Sequence, residues 1–192
     1  MKNLAIFASG SGTNAQNLIE YFSNSNTAKV KIIICNNPNA YVITRGNNLG
    51  IETIVLPKNE LISESPTTLI NTLQHHKISH ILLAGYLLKI PAFLINLYPD
   101  KIINIHPALL PKFGGKGMYG HHVHQAVVDS KEKESGITIH LVDEKYDNGS
   151  ILFQAKCKVL PTDTPDDVAA KIHLLEQENF PKVVDDYLKK EI

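Results

Sequence analysis

The sequence predicts an α/β fold in which a mostly parallel, twisted sheet of about seven strands lies between layers of helices. Apolar runs alternate with helical patterns through the first half of the chain, which is typical of parallel strands joined by helices. These runs are continuous in Val, Ile and Leu, as expected of strands buried on both faces. In the second half, two strand-like segments flank an Asp147-Asn148-Gly149 turn and are predicted to pair in antiparallel fashion. The fold class is therefore a Rossmann-like three-layer fold with an antiparallel C-terminal part.

Each predicted element has a local signal. Short apolar or alternating runs indicate strands, and stretches with apolar residues three to four positions apart indicate helices. Gly50 and Gly85 end a helix and a strand, and Thr164-Pro165-Asp166-Asp167 is a helix start signal, whereas Pro181 is expected to break or kink the last helix. In chain order the elements are strand 4–8, helix 14–22, strand 30–35, helix 41–49, strand 51–56, helix 67–76, strand 80–84, helix 91–97, strand 101–105, helix 122–128, strand 136–142, strand 151–159 and helix 164–190.

Composition limits the class of protein. The chain has 192 residues, 43% hydrophobic and 20% charged, which suits a single globular domain over residues 1–192. A formal net charge of +0 gives no electrostatic reason to expect nucleic acid or an anionic membrane as a partner. Neither Cys35 nor Cys157 belongs to a CxxC pair, and no apolar stretch is long enough to span a membrane. We therefore expect a cytoplasmic protein, either a monomer or a homodimer.

A glycine-containing turn follows the first strand and opens the first helix. It reads Ser9-Gly10-Ser11-Gly12-Thr13-Asn14. Glycines let the backbone approach an anion, and a helix N-terminus offers free N–H groups and the positive end of the helix dipole. The side chains of Ser11, Thr13 and Asn14 add donors. The turn predicts a site for a phosphate monoester, with an ordinary capped strand-to-helix turn as the alternative.

The stretch Asn104-Ile105-His106-Pro107 places an amide and an imidazole at the end of a predicted strand. Because residues two apart in a strand point to the same face, Asn104 and His106 are expected to project together where open α/β sheets bind ligands. An amide can donate to a developing oxyanion, and an imidazole can move protons near neutral pH. The stretch predicts acyl-type transfer without a covalent intermediate. The alternative is that both side chains only bond nearby backbone groups.

A third polar group, Asp147, lies at the turn before Gly149. A carboxylate there can lean over a strand-end site and hold an imidazole in its protonated form. The alternative role is capping of the turn itself.

The loop at 82–91 combines apolar and aromatic residues around Gly85. Such a loop can form the wall of a pocket for a flat heteroaromatic ligand. The alternative is a surface loop with one or two buried leucines.

Nine histidines raise the question of a metal site. His121, His122 and His124 lie close together in sequence, and His75 precedes His76. No second cluster adds carboxylates or cysteines at ligand-like spacing, so no metal is expected.

Together these motifs resemble the phosphoribosylglycinamide formyltransferase family, which is folate-dependent. The resemblance covers essentially the whole chain, in the segments ASGSGTN, LLAGY, NIHPALLPK, GITIHLVDEKYDNG, ILFQAK and LEQENFP. It implies that a formyl group passes from the co-substrate 10-formyltetrahydrofolate to the amine of 5-phosphoribosylglycinamide, a step of purine biosynthesis. It also implies that residues 1–100 form a phosphate-binding half and that residues 101–192 form a catalytic and folate-binding half.

The resemblance implies roles for the residues that match the family's motifs, and it implies small-molecule substrates. The implied catalytic residues are Asn104, His106 and Asp147, with His140 similar to a family histidine near the site. The implied contacts of the nucleotide substrate are Gly12, Thr13 and Asn14 for its phosphate and Glu176 for its ribose, with His173 beside it. The implied folate contacts are Leu87, Leu88, Lys89, Ile90, Asn104 and Val142.

Some positions depart from the family's pattern. His173 stands where a glutamine is usual, and the loop at 112–121 is longer than in many relatives. Many relatives place an arginine before the third helix to meet the folate tail, and here Lys58 is the nearest cation.

Three other functions are weighed against this one. A formyltetrahydrofolate hydrolase is expected to carry a further N-terminal domain. A methionyl-tRNA formyltransferase is expected to carry a further C-terminal domain and a basic surface. A non-catalytic sensor of phosphoribosyl ligands would have no need of the Asn104, His106 and Asp147 set.

Overall fold

The computed structural model describes residues 1–63 and 65–190. The strands are β1 (Lys2–Ala8), β2 (Ala28–Cys35), β3 (Glu52–Val55), β4 (His80–Leu83), β5 (Ile102–His106), β6 (Glu134–Leu141) and β7 (Ile151–Lys158). The helices are α1 (Thr13–Phe22), α2 (Val42–Asn48), α3 (Lys58–Leu61), α4 (Thr67–His75), α5 (Ala92–Leu97), α6 (His121–Asp129) and α7 (Pro165–Lys190). In these parts of the chain, no helix combines the length and apolar character that crossing a membrane requires.

All of these strands belong to one sheet with the order β3-β2-β1-β4-β5-β6-β7. The first five strands are mutually parallel, and β6 and β7 are antiparallel to their neighbours. The predicted fold class is therefore confirmed, including the antiparallel C-terminal part.

Two hydrophobic cores cover the two faces of the sheet. Side chains alternate between them along β1, where Leu4 and Ile6 face one core and Ala5 and Phe7 face the other. Helices α1, α2, α6 and α7 pack on the first face, and α3, α4 and α5 pack on the second. The chain thus forms the three layers that its alternating pattern predicts.

The sequence analysis missed the short helix α3. It has only one turn (Lys58–Leu61), which is too short to show helical periodicity. Glu60 gives it a role, because its Oε1 accepts hydrogen bonds from the backbone N–H groups of Thr68 and Leu69 at 2.8 and 3.2 Å. These bonds satisfy donors in the first turn of α4.

Helix α7 continues through Pro181, which is buried, so the expectation of a break there is wrong. Proline has no N–H for the carbonyl four residues earlier, which here belongs to Gln177. Asn17 of α1 supplies the missing donor, since its Nδ2 lies 2.8 Å from that carbonyl oxygen. The helix start is as predicted, because Thr164 and Asp167 exchange backbone-to-side-chain hydrogen bonds of 2.8 and 3.2 Å.

The strand order reverses between β1 and β4, and in open α/β sheets ligands bind at such a point, beyond the carboxyl ends of the strands. The loops that follow β1 and β4 meet there, since the Ser9 N–H donates to the Gly85 carbonyl at 3.0 Å. The loop after β5 leaves from the same edge. The topology therefore places the three sequence motifs on one side of the sheet.

We expect the Asn17→Leu variant to lower the free energy of unfolding by about 1–3 kcal/mol, because the Gln177 carbonyl loses its donor. The loss should shrink in a Pro181→Ala background, where the alanine N–H can bond the same carbonyl. Urea unfolding of both single variants and the double variant measures this coupling. An equal loss in the two backgrounds would contradict the compensation.

Candidate active site

A cavity of about 830 Å³ opens at the carboxyl ends of β1, β4 and β5. Its wall includes all the residues to which the resemblance gave a catalytic, nucleotide-binding or folate-binding role: Gly12, Thr13, Asn14, Leu87, Leu88, Lys89, Ile90, Asn104, His106, Val142, Asp147, His173 and Glu176. Lys58, the cation suggested for the folate tail, is outside this wall, which instead contains Lys89, Lys116 and Lys145.

The amide of Asn104 is oriented by His140 on the neighbouring strand. The two residues face each other in the β5–β6 register, and Asn104 Nδ2 lies 3.0 Å from His140 Nε2. His140 Nδ1 lies 2.8 Å from the Leu141 carbonyl, which can only accept, so Nδ1 carries the proton and Nε2 accepts from the amide. Burial lowers the pKa of His140 and favours this neutral form. One N–H of the Asn104 amide is thereby engaged, and the other is left for a ligand.

His106 is buried beside Asp147 at the end of β5. Its Nδ1 lies 3.6 Å from Asp147 Oδ2, and its Nε2 lies 2.8 Å from the Phe113 carbonyl. Because that carbonyl only accepts, Nε2 carries a proton in this contact. The ring therefore turns its Nδ1 edge toward the carboxylate.

The glycine-rich loop after β5 holds both of these side chains with its main chain. The Phe113 carbonyl accepts from His106, and the Gly115 N–H donates to Asp147 Oδ2 at 2.8 Å. A Cβ atom at Gly114 would lie 2.6 Å from Leu110 Cδ2 and 3.2 Å from Asp147 Cβ, so a larger residue there would have to displace the Leu110 side chain and press on Asp147. The loop fixes the geometry of the imidazole and the carboxylate together.

The turn that carries this loop is anchored by a buried threonine of β6 and an exposed glutamine of β7. Thr138 Oγ1 donates to the Ala108 carbonyl at 2.7 Å and accepts from the Leu110 N–H at 3.0 Å. Gln154 Nε2 lies 2.9 Å from Thr138 Oγ1 and 3.0 Å from the Leu110 carbonyl. The sequence analysis did not identify these supports. The signal available was a polar threonine at an inward position of an otherwise apolar strand.

The turn after β1 has the geometry of an anion-binding site. Gly12 has φ 77°, and α1 begins at Thr13 with no side chain capping its first turn. Arg45, the one arginine of the sequence, donates from Nε to the Ser11 carbonyl at 2.9 Å and so supports the turn from behind. The backbone N–H groups at the start of α1 remain the donors for an anion.

The side chain of Asn14 is bonded to α7. Its Nδ2 donates to Glu176 Oε2 at 2.9 Å, and its Oδ1 accepts from Gln177 Nε2 at 3.1 Å. The second N–H of Nδ2 and the backbone N–H of Asn14 are left as donors for an anion. His173 Nδ1 lies 3.6 Å from the same Glu176 carboxylate, which raises the pKa of His173.

The opposite end of the cavity is more apolar. Ile90 is buried, and the Leu87 and Val142 N–H groups are already bonded, to Ser9 Oγ at 3.0 Å and to the Ile102 carbonyl at 2.9 Å. Lys89 Nζ lies 5.8 Å from the centre of the Tyr146 ring, which is within reach of a cation–π contact. This end can hold a flat, mostly apolar ring system with a cation at its edge.

The histidine cluster considered for a metal separates in the structure. His124 is buried and lines the cavity, whereas His121 and His122 are exposed. Across residues 1–63 and 65–190, no three His, Cys, Asp or Glu side chains are grouped so that they could hold a metal ion.

The chain is similar to a known family and to solved structures. A model of the formyl transferase family matches residues 2–184. The chain is 39% identical to phosphoribosylglycinamide formyltransferase, chloroplastic, of Arabidopsis thaliana, over 95% of this chain, and it spans only 64% of that relative's length. It is 35% identical to phosphoribosylglycinamide formyltransferase of Bacillus subtilis, over 96% of this chain and 93% of the relative. The crystal structure of phosphoribosylglycinamide formyltransferase from Streptococcus pneumoniae superposes with a TM-score of 0.85 at 33% identity, covering 97% of this chain and 99% of that one.

We expect Gly12→Ala to lower the free energy of unfolding by about 1–3 kcal/mol and to disturb the turn. The added Cβ would lie 2.5 Å from Val42 Cγ2 and 2.8 Å from its Cα, at a φ of +77°. Gly10→Ala is the matched control, because a Cβ there meets nothing within 4 Å. Urea unfolding compares the two, and equal losses would contradict this account of the turn.

Two cavity histidines should change stability with pH in opposite directions. Burial lowers the pKa of His140, so below about 6.5 the unfolded chain takes up a proton that the folded chain does not, and stability falls as pH falls toward the folded pKa. The Glu176 carboxylate 3.6 Å away raises the pKa of His173, so its stabilisation is full below about 6.5 and is lost as pH rises through its folded pKa.

We therefore compare the slope of the unfolding free energy against pH between about pH 5.5 and 7.5. His140→Gln should make this slope less positive, and His173→Gln should make it more positive. Each change should be at most about 1.4 kcal/mol per pH unit. Urea unfolding at a series of pH values measures these slopes. Slope changes of the same sign in both variants would show that the assignment is wrong.

Proposed function

Because this chain belongs to the formyl transferase family, we propose that it transfers the formyl group of 10-formyltetrahydrofolate to the amine of 5-phosphoribosylglycinamide. The observation that carries the proposal is the convergence of Asn104, His106 and Asp147 in a cavity that also contains an anion-binding turn. An amide donor, an imidazole and a carboxylate are suited to direct acyl transfer. The product is N-formylglycinamide ribonucleotide, within purine biosynthesis.

The nucleotide substrate binds at the end of the cavity formed by α1 and α7. Its phosphate receives hydrogen bonds from the backbone N–H groups of Gly12, Thr13 and Asn14, where the helix dipole favours negative charge. Glu176 accepts from the ribose hydroxyls, and His173 holds that carboxylate in place. The side chain of Asn14 contributes by fixing Glu176.

The formyl donor binds at the apolar end. Leu88, Ile90 and Val142 pack against its ring system, with Asn104 at the inner limit. Leu87 and Lys89 lie at the edge, where Leu87 is half exposed and the Lys89 cation suits the acidic tail of a folate. Residues 1–192 then form one formyltransferase domain, with residues 1–100 as its phosphate-binding half and residues 101–192 as its catalytic and folate-binding half. Two contacts cross this division, because Glu176 lies in the second half and the segment 87–90 lies in the first.

The chemical step is attack of the substrate amine on the formyl carbon. As the carbonyl oxygen gains charge, it accepts the free N–H of Asn104, whose orientation His140 maintains. One such donor typically accounts for about 3–4 kcal/mol of the barrier. The donor acts more strongly on the transition state than on the ground state, because the charge develops only there.

His106 and Asp147 manage the proton and the developing charge. The amine must lose a proton as the new C–N bond forms, and the folate nitrogen must regain one as it leaves. The Nδ1 edge of His106 and the Asp147 carboxylate are 3.6 Å apart and can accept and return that proton. No side chain has to carry the formyl group covalently.

The location and assembly of the protein are part of the same proposal. Both cysteines are free thiols, which suits a reducing compartment such as the cytoplasm. Its partners are small molecules, and the choice between monomer and homodimer stays open.

The decisive experiment follows loss of 10-formyltetrahydrofolate spectrophotometrically, with and without 5-phosphoribosylglycinamide. We expect loss only when the acceptor is present. Loss without the acceptor indicates a hydrolase, and binding of the acceptor without loss of the donor indicates a sensor. Either result overturns the proposal.

We expect Asn104→Ala to lower kcat by about 10²–10³-fold, because the developing oxyanion loses its donor. His106→Ala should abolish turnover while 5-phosphoribosylglycinamide still binds, as measured by calorimetry. His75→Ala is the control, because His75 is exposed and outside the cavity wall. Near-native turnover in His106→Ala would exclude the proposed role.

A further inference from the structure

His124 lines the cavity but belongs neither to the proposed catalytic residues (Asn104, His106 and Asp147) nor to the anion-binding turn. It lies in the first turns of α6, its side chain is only 7% exposed, and it contributes to the cavity wall. An imidazole enclosed to this degree normally has hydrogen-bond partners for both nitrogens.

One ring nitrogen of His124 has no partner. Its Nδ1 is enclosed and makes no hydrogen bond within the described chain. An enclosed N–H without an acceptor is destabilising, so the favoured tautomer carries its proton on Nε2 and leaves a lone pair on Nδ1. Burial also lowers the pKa of His124, so the ring is a neutral donor. Since Nδ1 is enclosed, the opposite edge of the ring is the one that can meet a ligand.

His124 shares one cavity wall with both ends of the nucleotide site. Glu176, the group assigned to the ribose, and His106, the group assigned to the reacting amine, line the same cavity. The Glu176 and Asp166 carboxylates raise the pKa of His124, whereas His106 and His121 lower it. A substrate that extends from Glu176 to His106 therefore passes along the wall that contains His124.

We propose that His124 donates a hydrogen bond from Nε2 to the amide carbonyl of the glycinamide group. This inference rests on the proposed function. In that substrate a single amide joins the ribose to the aminomethyl group, so this amide must lie between Glu176 and His106. A carbonyl is the acceptor that a neutral donor requires, and the contact holds the amine at a fixed distance from Asn104 and His106. His124 is thus a binding residue that recognises the amide and orients the nucleophile.

The test compares two ligands that differ by this amide. Ribose 5-phosphate has the phosphate and the sugar but lacks the amide, whereas 5-phosphoribosylglycinamide has all three. We expect His124→Leu to weaken binding of 5-phosphoribosylglycinamide about tenfold in calorimetry and to leave binding of ribose 5-phosphate unchanged. The KM for 5-phosphoribosylglycinamide should rise to the same extent, and the KM for 10-formyltetrahydrofolate should not change.

Two further variants complete the design. His124→Gln, which can place an N–H near the position of Nε2, should recover most of the lost affinity, and it remains informative if His124→Leu does not fold. His122→Leu is the control on the same helix, because His122 is exposed and outside the cavity wall. If the wild-type protein turns over its substrates, the inference is overturned when His124→Leu weakens binding of both ligands equally, or of neither. Absence of wild-type turnover overturns the proposed function itself, and the inference with it.

Discussion

The register of β5 against β6 is the constraint on which the rest of the site depends. It sets Asn104 opposite His140 and His106 opposite Thr138. Each pair couples a side chain at the sheet edge to a buried partner, either directly or through the turn that follows β5. Because strand side chains alternate faces, a slip of one residue would turn both Asn104 and His106 away from the cavity. Ile103 and Ile105, which alternate with them along β5 and face a core, oppose such a slip.

The polar site is built by giving each buried group a fixed set of partners. His140 is neutral and serves as an acceptor for an amide. His106 is held between a carbonyl and a carboxylate by the loop at 112–120. Such networks are stable when every member is satisfied, and the satisfied members here form the rigid part of the cavity. His124 is the exception, because its enclosed Nδ1 has no partner within the described residues, and the opposite edge of its ring is the one proposed to meet a ligand.

Much of this arrangement could be predicted from the sequence, because the relevant signals are local. The apolar runs identify the strands, and a period of two places Asn104 and His106 on one face. The supports are different, since they join residues far apart in the chain. The hydrogen bonds of Thr138 and Gln154 become evident only when the strands are packed together. The same is true of the bond that Asn17 donates to the Gln177 carbonyl. Pro181 shows the same limit, because its local propensity predicts a break that a distant side chain prevents.

The turn after β1 has a consequence for how the chain can change over time. The donors that it offers to an anion are main-chain N–H groups. The neighbouring guanidinium of Arg45 donates to the Ser11 carbonyl. Recognition of this kind depends on the shape of the backbone. Gly12 and Val42 are therefore constrained to vary as a pair, because a Cβ atom at position 12 would lie 2.5 Å from Val42 Cγ2.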